Sequence, residues 1–572
     1  MSIGISPWVA DSAEYRPDRY YTYAHLTEML ERWAKKYPNL MTIESIGKTY
    51  EGRDIWACTL TNVDSGHHSE KPATFLDSNI HAGEVTGQAT VLWLINHMLE
   101  GYGTDERVTR ALDTSTLYAI PGIMLDGIEL YLTTPERLRS SVRNYPETDD
   151  KDGLKRADLD GDGRILQMRV RDDAGAWKQH PEDERIMVRR GPDEHGGTYY
   201  SVYEEGAITN WDGGKIAVAK EHLGLDLNRN FPLDWKPEWD QQGAGEFPLS
   251  EPETRALSDF LLAHPNIGVS QHLHTWSGVI LRPGINIADE DMDRGDLAAF
   301  KAIGKMGEEE TGYKCISIHH DFNYDRRLRL SGSVTDWVYS ALGIYAYATE
   351  LWSLPAKAGI EITDWIGWSK ERPDSDDLAM AKVMDEHADG EGLFAWKPFD
   401  HPQLGEVEIG GWDYKFAIQN PPGPLLEEVI VGNAKFVLRK MGVLPHLKIE
   451  STNAEHLGGN VYKVSAVIVN DGFLPTYVSS IGKKNNRAKA PKLMLSGADV
   501  VAGKAEITME HLEGRAALHA PMGIPTRSGN LARGYAEWVV RAEPGSEIQI
   551  TAKSTKAGTV ETSIALPAEQ DT

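Results

Sequence analysis

Residues 73–84 read ATFLDSNIHAGE: a buried strand, Ala73–Ile80, that stops at His81 and is followed three positions later by Glu84. A short segment of strand length with its apolar residues clustered rather than alternating is consistent with burial on both faces. It leads directly into a segment of helical length, from about Thr86 to Glu100. A buried strand passing straight into a helix is the repeating unit of an α/β domain. His81 and Glu84 fall at the junction, where a tight turn can aim both side chains at one cation. Alone the pair is weak, because an ordinary polar histidine beside a helix-starting glutamate has the same spacing.

Upstream, Leu26, Met29, Leu30 and Trp33 recur at helical spacing, Pro38 closes that helix, and a strand pair is expected at Met41–Ile46 and Asp54–Leu60. Downstream, a second α/β unit begins at Leu117–Gly127, a helix starts near Ser250, a strand covers Ile267–His274, a helix lies near Thr335–Leu342 and a strand covers Tyr345–Leu351. The alternation predicts an α/β fold with a mixed, mostly parallel central sheet and helices on both faces. Residues 149–211, rich in Gly, Asp and Arg, read as an acidic, loop-rich insertion. From Leu444 the helical period disappears, and short runs such as Val461–Val469 and Glu547–Ala552 are separated by turn residues, which predicts a C-terminal β-sandwich. The expected domains are an N-terminal extension over 1–19, a catalytic domain over 20–440 and the sandwich over 444–572.

Composition narrows the chemistry. Acidic residues outnumber basic ones 86 to 59, for a formal charge of −27, and a surface that negative repels nucleic acid and anionic membranes. Cys58 and Cys315 cannot build a cysteine zinc site, so a metal must use His and carboxylate. No basic leader with an apolar core, and no run of about 18 apolar residues, is present; the default location is cytoplasmic, with an exported form lacking its leader as the alternative.

A third ligand is available in Gly268–Trp276, where period two places His272 and His274 on one strand face. His81, Glu84 and one of these histidines leave a fourth tetrahedral position open, as a catalytic zinc requires. The hydrolysis such an ion promotes also needs a carboxylate to accept a proton. Glu350 is the candidate, sharing a strand face with Ile344, Ala346 and Ala348 at the end of an apolar segment.

In this order the segments resemble the zinc carboxypeptidases of the carboxypeptidase A and B type, from about Tyr20 to Trp352. The opening TYAHLTEMLERWAKKYPNL, then HAGE, DLNRN, SEPET, HTWSG, SVTDW and TELW follow in the family's order. The resemblance selects His274 over His272 as the third ligand and makes Glu350 the general acid/base. It implies that Asp226 hydrogen-bonds the ring of His81, that Asn228 and Arg229 grip the free terminal carboxylate of the substrate, and that Arg139, with Arg143 as its rival, stabilises the oxyanion. Thr335 falls near the base of the side-chain pocket; being neutral, it points to neutral or apolar C-terminal residues. Tyr324 is the candidate for the family's mobile, substrate-covering tyrosine. One departure is Met124–Gly127, MLDG, where the family usually has Asn-Pro-Asp-Gly.

The implied activity is zinc-dependent hydrolysis of the C-terminal bond of peptides with a free C-terminus. Two alternatives are a zinc amidohydrolase acting on small N-acyl amino acids or cell-wall peptides, and a peptide-binding protein without turnover. Separately, Asp158, Asp160 and Asp162, with Gly163, reproduce the first half of a calcium loop. Position twelve is Arg169, so another acid, Asp149, Asp150 or Asp152, would have to complete a Ca2+ site.

Overall fold

The computed structural model describes residues 6–146, 152–220, 223–322, 329–518 and 531–568. An eight-stranded sheet forms the centre. In chain order its strands are β1 (Met41–Lys48), β2 (Asp54–Leu60), β3 (Ala73–Ser78), β4 (Thr116–Ile120), β5 (Ile267–Thr275), β6 (Val279–Arg282), β7 (Lys314–Ser317) and β8 (Tyr345–Leu351). Across the sheet they run β1-β2-β4-β3-β5-β8-β6-β7. The inner pairs β4/β3, β3/β5 and β5/β8 are parallel, while β1/β2, β2/β4 and β8/β6 are antiparallel.

Every residue of β3, β4 and β5 is buried, as expected of strands covered on both faces, and the polar side chains of β3 and β5, among them Asp77, Gln271 and His272, lie within the core. Phe300 of helix Arg294–Thr311 and Phe436 of helix Gly423–Met441 pack on Tyr347 of β8, covering one face. Phe260 of helix Pro252–Ala263 packs on Phe75 of β3, covering the other. The mixed, mostly parallel sheet between helices is therefore as expected. In parallel sheets the loops at the carboxyl ends of the strands form the crevice where ligands bind. Here those ends are His81, just past β3, His274 on β5 and Glu350 on β8.

The loop-rich reading of 149–211 is replaced by short strands. Gln167–Arg171, Trp177–Gln179, Met187–Arg189 and Tyr200–Glu204 join the hairpin Leu393–His401 and Gly405–Trp412 in a six-stranded sheet, and Gly153–Arg156 pairs with Gly206–Thr209. The segment thus supplies four of the six strands of a sheet completed by residues 393–412, and short strands with mixed burial carry little period-two signal.

Beyond residue 444, two four-stranded sheets face each other across a core that includes Tyr462, Val464, Trp538, Ile548 and Ile550. This sandwich docks on the amino ends of β5 and β8. Lys556 Nζ donates to the carbonyl oxygen of Ile267 at 2.5 Å. Ser479 Oγ donates to Gly343 O at 2.7 Å, and the Ser480 hydroxyl and amide donate to buried Asp296 at 2.6 and 2.8 Å.

Candidate metal centre and substrate pocket

The parallel register sets His274 of β5 directly beside Glu350 of β8 and Leu273 beside Ser78 of β3. Three residues past Ser78 the chain reaches His81 in a turn, and helix Thr86–Gly101 begins just after Glu84. Gly87 lets this helix approach closely, since a Cβ there would sit 2.9 Å from the Ser78 Cβ. The geometry of strand, turn and helix thereby fixes both side chains.

His81 Nδ1 lies 3.0 Å from Glu84 Oε1 and 3.1 Å from His274 Nδ1, which is itself 3.1 Å from Glu84 Oε2. All three side chains are buried. Two imidazole nitrogens and a carboxylate converging on one point are a donor set that a divalent cation satisfies, and these three residues form a candidate metal site. Burial alone would raise the Glu84 carboxyl, but His81 and His274 hold it below the usual carboxylate range. The remaining nitrogen of His81, Nε2, meets Asp226 Oδ1 at 3.1 Å. Such a carboxylate fixes which ring nitrogen faces the metal. Asp226 opens the turn Leu227–Arg229, its Oδ1 also accepting the Asn228 amide.

His272 shares the strand face but is otherwise engaged. Its Nδ1 meets Asp77 Oδ2 at 2.9 Å and its Nε2 lies 3.1 Å from Ser270 Oγ, all within the core.

Around the ligand cluster lies a pocket of about 120 Å³ lined by His81, His274, Arg139, Asn228, Arg229, Thr335 and Glu350, with a wall of apolar side chains. Arg139 Nε lies 3.2 Å from Asp226 Oδ2 and its Nη1 3.4 Å from Glu84 Oε1. Burial works against its charge, but Asp226, Glu84 and Glu350 around it keep the guanidinium firmly protonated. Arg143 points elsewhere: Glu251 takes its Nη2 at 2.7 Å and Nε at 3.0 Å, with Glu246 alongside. Asn228 Oδ1 accepts the Val334 amide at 3.0 Å, which ties the loop to the helix carrying Thr335. The Glu350 backbone carbonyl accepts the Gly278 amide at 2.8 Å, but the Glu350 carboxylate has no hydrogen-bond partner among the described residues. Burial pushes its carboxyl up to about 7; His274 draws it down and Glu84 pushes it further up. Tyr324 lies outside the described residues, as do Asp149 and Asp150.

Sequence reasoning missed the apolar wall of Leu281, Ile285, Ile318, Phe322, Leu330 and Ala348. Only Ala348 carried a signal, through its alternation with Glu350. Asp336, next to Thr335, is spent on structure, accepting the amides of Gly284 and Ile285 at 2.8 and 3.0 Å. In the acidic turn, Asp158 and Asp160 are joined by Glu205, a residue the sequence did not nominate, to form a second possible cation cluster. Asp162 is not in that group, and Arg169 is paired with Glu408.

The sequence profile of the family described as zinc carboxypeptidase matches residues 26–363, more than half of the chain. The chain belongs to the zinc carboxypeptidase family. It is accordingly a metallocarboxypeptidase, a hydrolase whose family cofactor is zinc. A second profile, described as Domain of unknown function (DUF8731), matches residues 446–565. This zinc carboxypeptidase is 23% identical over 362 residues to carboxypeptidase O of Bos taurus, covering 61% of this chain and 74% of that protein. To carboxypeptidase A2 of Rattus norvegicus it is 23% identical over 377 residues, covering 61% and 69%. A match to carboxypeptidase D of Drosophila melanogaster is 25% identical over 38% of this chain and spans 13% of that protein. Among solved structures, the thrombin activatable fibrinolysis inhibitor matches at a TM-score of 0.42 and 16% identity, over 76% of each chain. Carboxypeptidase A from Helicoverpa armigera matches at 0.38 and 16%, over 66% of this chain and 76% of that one. Among the described residues no helix is long and apolar enough to cross a membrane.

Proposed function

We propose that this metallocarboxypeptidase removes single neutral or apolar residues from the free C-terminus of peptides, with zinc held by His81, Glu84 and His274. The observation that carries the reading is Glu350: a half-buried carboxylate, shifted up to about 7 by desolvation, set beside His274 on the adjacent parallel strand. A general base works best when its pKa lies near the operating pH. Zinc, when bound, supplies Lewis acidity, polarising a carbonyl and making water acidic enough to attack near neutral pH.

The chain's own groups do the rest. Arg229 and Asn228 hold the terminal carboxylate, a guanidinium matching it with two parallel hydrogen bonds, and so restrict cleavage to a chain end. Glu350 takes the proton of the attacking water and returns it to the nitrogen of the departing residue. Arg139 faces the oxygen on which negative charge develops. Asp226 keeps His81 oriented through Nε2. The wall of Leu281, Ile285, Ile318 and Leu330 accepts an apolar side chain. Asp336, occupied by two amides, is not free to receive a basic one.

For the acidic turn, the reading is a calcium ion at Asp158, Asp160 and Glu205, supported by the buried Glu205 carboxyl, which desolvation and both aspartates raise to about 7. A cation would relieve that repulsion. The measure is whether millimolar calcium raises the melting temperature and Glu205→Gln abolishes the rise.

Mass spectrometry of a peptide series varied at the C-terminus tests the main reading. Loss of one terminal residue, abolished by chelation and restored by zinc, is expected. Cleavage confined to N-acylated single amino acids would favour the amidohydrolase alternative, and zinc binding with no cleavage of any substrate would favour the binding protein.

A further inference from the structure

Where helix Glu106–Thr114, the carboxyl end of helix Gly423–Met441 and the sandwich meet, an open cleft of about 500 Å³ is lined by four arginines: Arg107, Arg110, Arg439 and Arg515. Its floor is apolar, formed by the buried side chains of Leu438, Met441 and Val443. On a chain of net charge −27 such a concentration of guanidinium groups is out of character. Part of it is accounted for locally: Arg439 pairs with Glu309 and Glu310 at 2.9 and 3.1 Å, and Arg107 reaches Glu310 at 4.0 Å. Arg110 and Arg515 are not. Neither meets a carboxylate among the described residues, and the Arg515 side chain donates to the Asp471 carbonyl oxygen. Both are exposed, one from each side of the domain junction.

A concave site of this volume, with an apolar base and a few charged groups at its rim, is the form of a small-molecule pocket. We propose that the cleft binds a small amphipathic anion, a carboxylate on an apolar chain, with Arg110 and Arg515 taking the head and Leu438, Met441 and Val443 the tail. Such a ligand exchanges unshared positive charge for charge-assisted hydrogen bonds, the strong class of hydrogen bond. Because Arg110 belongs to the peptidase domain and Arg515 to the sandwich, binding links the two and stabilises the whole chain by mass action.

The test is calorimetric titration of the full chain with decanoate. It is run on the Arg229→Ala variant, so that the carboxylate grip assigned to the substrate pocket does not contribute. One saturable site and a raised melting temperature are expected. The additional substitutions R110A and R515A are expected to weaken decanoate by at least about tenfold, with acetate, which lacks the chain, and decanol, which lacks the charge, each weaker than decanoate by about the same factor. Without decanoate, the melting temperature is expected to be the same with and without R110A and R515A, since both side chains are exposed. Absence of decanoate binding in the Arg229→Ala variant, binding unchanged by R110A and R515A, or decanol binding as well as decanoate, overturns the proposal. No outcome depends on hydrolysis, so failure here leaves the peptidase reading to its own experiment.

Discussion

The two ends of strands β5 and β8 are treated oppositely. At their amino ends hydrogen bonding is dense: Asp296 accepts from the hydroxyls of Tyr339, Tyr345 and, from the sandwich, Ser480, and from the Ser480 amide, while the Ile267 and Gly343 carbonyls each receive a donor from the sandwich. At their carboxyl ends, Glu84 and Glu350 stand near one another among His81, His274 and Arg139, and the Glu350 carboxylate has no hydrogen-bond partner among the described residues. One end is satisfied and the other is charged and waiting. Strand ends made rigid by dense hydrogen bonding can hold side chains in the tight geometry that metal binding and proton transfer demand.

The sharpest way to break this contrast is at the charged end. Glu350→Gln keeps the shape but removes the proton acceptor, and a fall in kcat of about 10²–10⁴-fold is expected with zinc stoichiometry unchanged. Activity that survives in zinc-loaded Glu350→Gln would dissociate the strand-end carboxylate from the chemistry.

Next in size is the satisfied end. Asp296→Ala strands two buried tyrosine hydroxyls and the Ser480 donors, and a loss of about 3 kcal/mol in unfolding free energy is expected from denaturant titration. At a temperature where the variant remains folded, kcat should stay near its original value. A matching collapse of kcat would mean that the anchored end also tunes the site.

Smaller again is Asp226→Ala. Loss of a carboxylate that orients a metal-binding histidine costs about 10–100-fold in metal affinity. Competition with a chelating dye should show that loss, and an unchanged zinc Kd would remove Asp226 from the support of His81.

The charged end was far more legible in the sequence than the anchored one. Glu350 announced itself because a charge closes an otherwise apolar alternation, and HAGE because a histidine and a glutamate break a buried strand at its junction with a helix. Period two could not separate His272 from His274, because both face the same way. What separates them is Asp77 across the β3/β5 pair, a contact between residues 195 apart. Nor could it rank Arg139 over Arg143, four positions apart; Glu251, more than a hundred residues on, draws Arg143 away. Asp296 reads in sequence as an ordinary acid in the first turn of a helix, and only the arrival of Ser480 makes it a buried anchor. Glu205 completes the acidic cluster from a bend between two strands, 46 residues beyond Leu159, whose amide it accepts. Local pattern reports the period and the break in it; partners brought in from distant chain do not leave a local pattern.

Lys556 offers the finest test, because it is the one place where the satisfied end contains a charge problem of its own. Its side chain is buried against the Ile267 carbonyl, and burial, with Arg487 adding to it, lowers its pKa from 10.5 to about 7. A lysine depressed in the folded state binds fewer protons there than in the unfolded chain, so unfolding takes up protons. Stability must therefore rise with pH across the window from about 7 to about 10.5, and the penalty is fully present below about 7. Lys556→Met keeps the length of the side chain and removes the ionisable group, at the loss of one hydrogen bond to a carbonyl. Replacing a buried charge with an apolar group of similar volume is often neutral or stabilising, so a gain on the order of 1–2 kcal/mol near pH 7 is expected. The gain should shrink as pH rises toward 10, where the lysine is neutral in the fold and its hydrogen bond counts in its favour. Denaturant titrations of both proteins at intervals across that range would show converging stabilities. Parallel curves would mean that Lys556 keeps its charge when docked, and the anchored end would then tolerate a buried cation as readily as the reactive end tolerates its carboxylates.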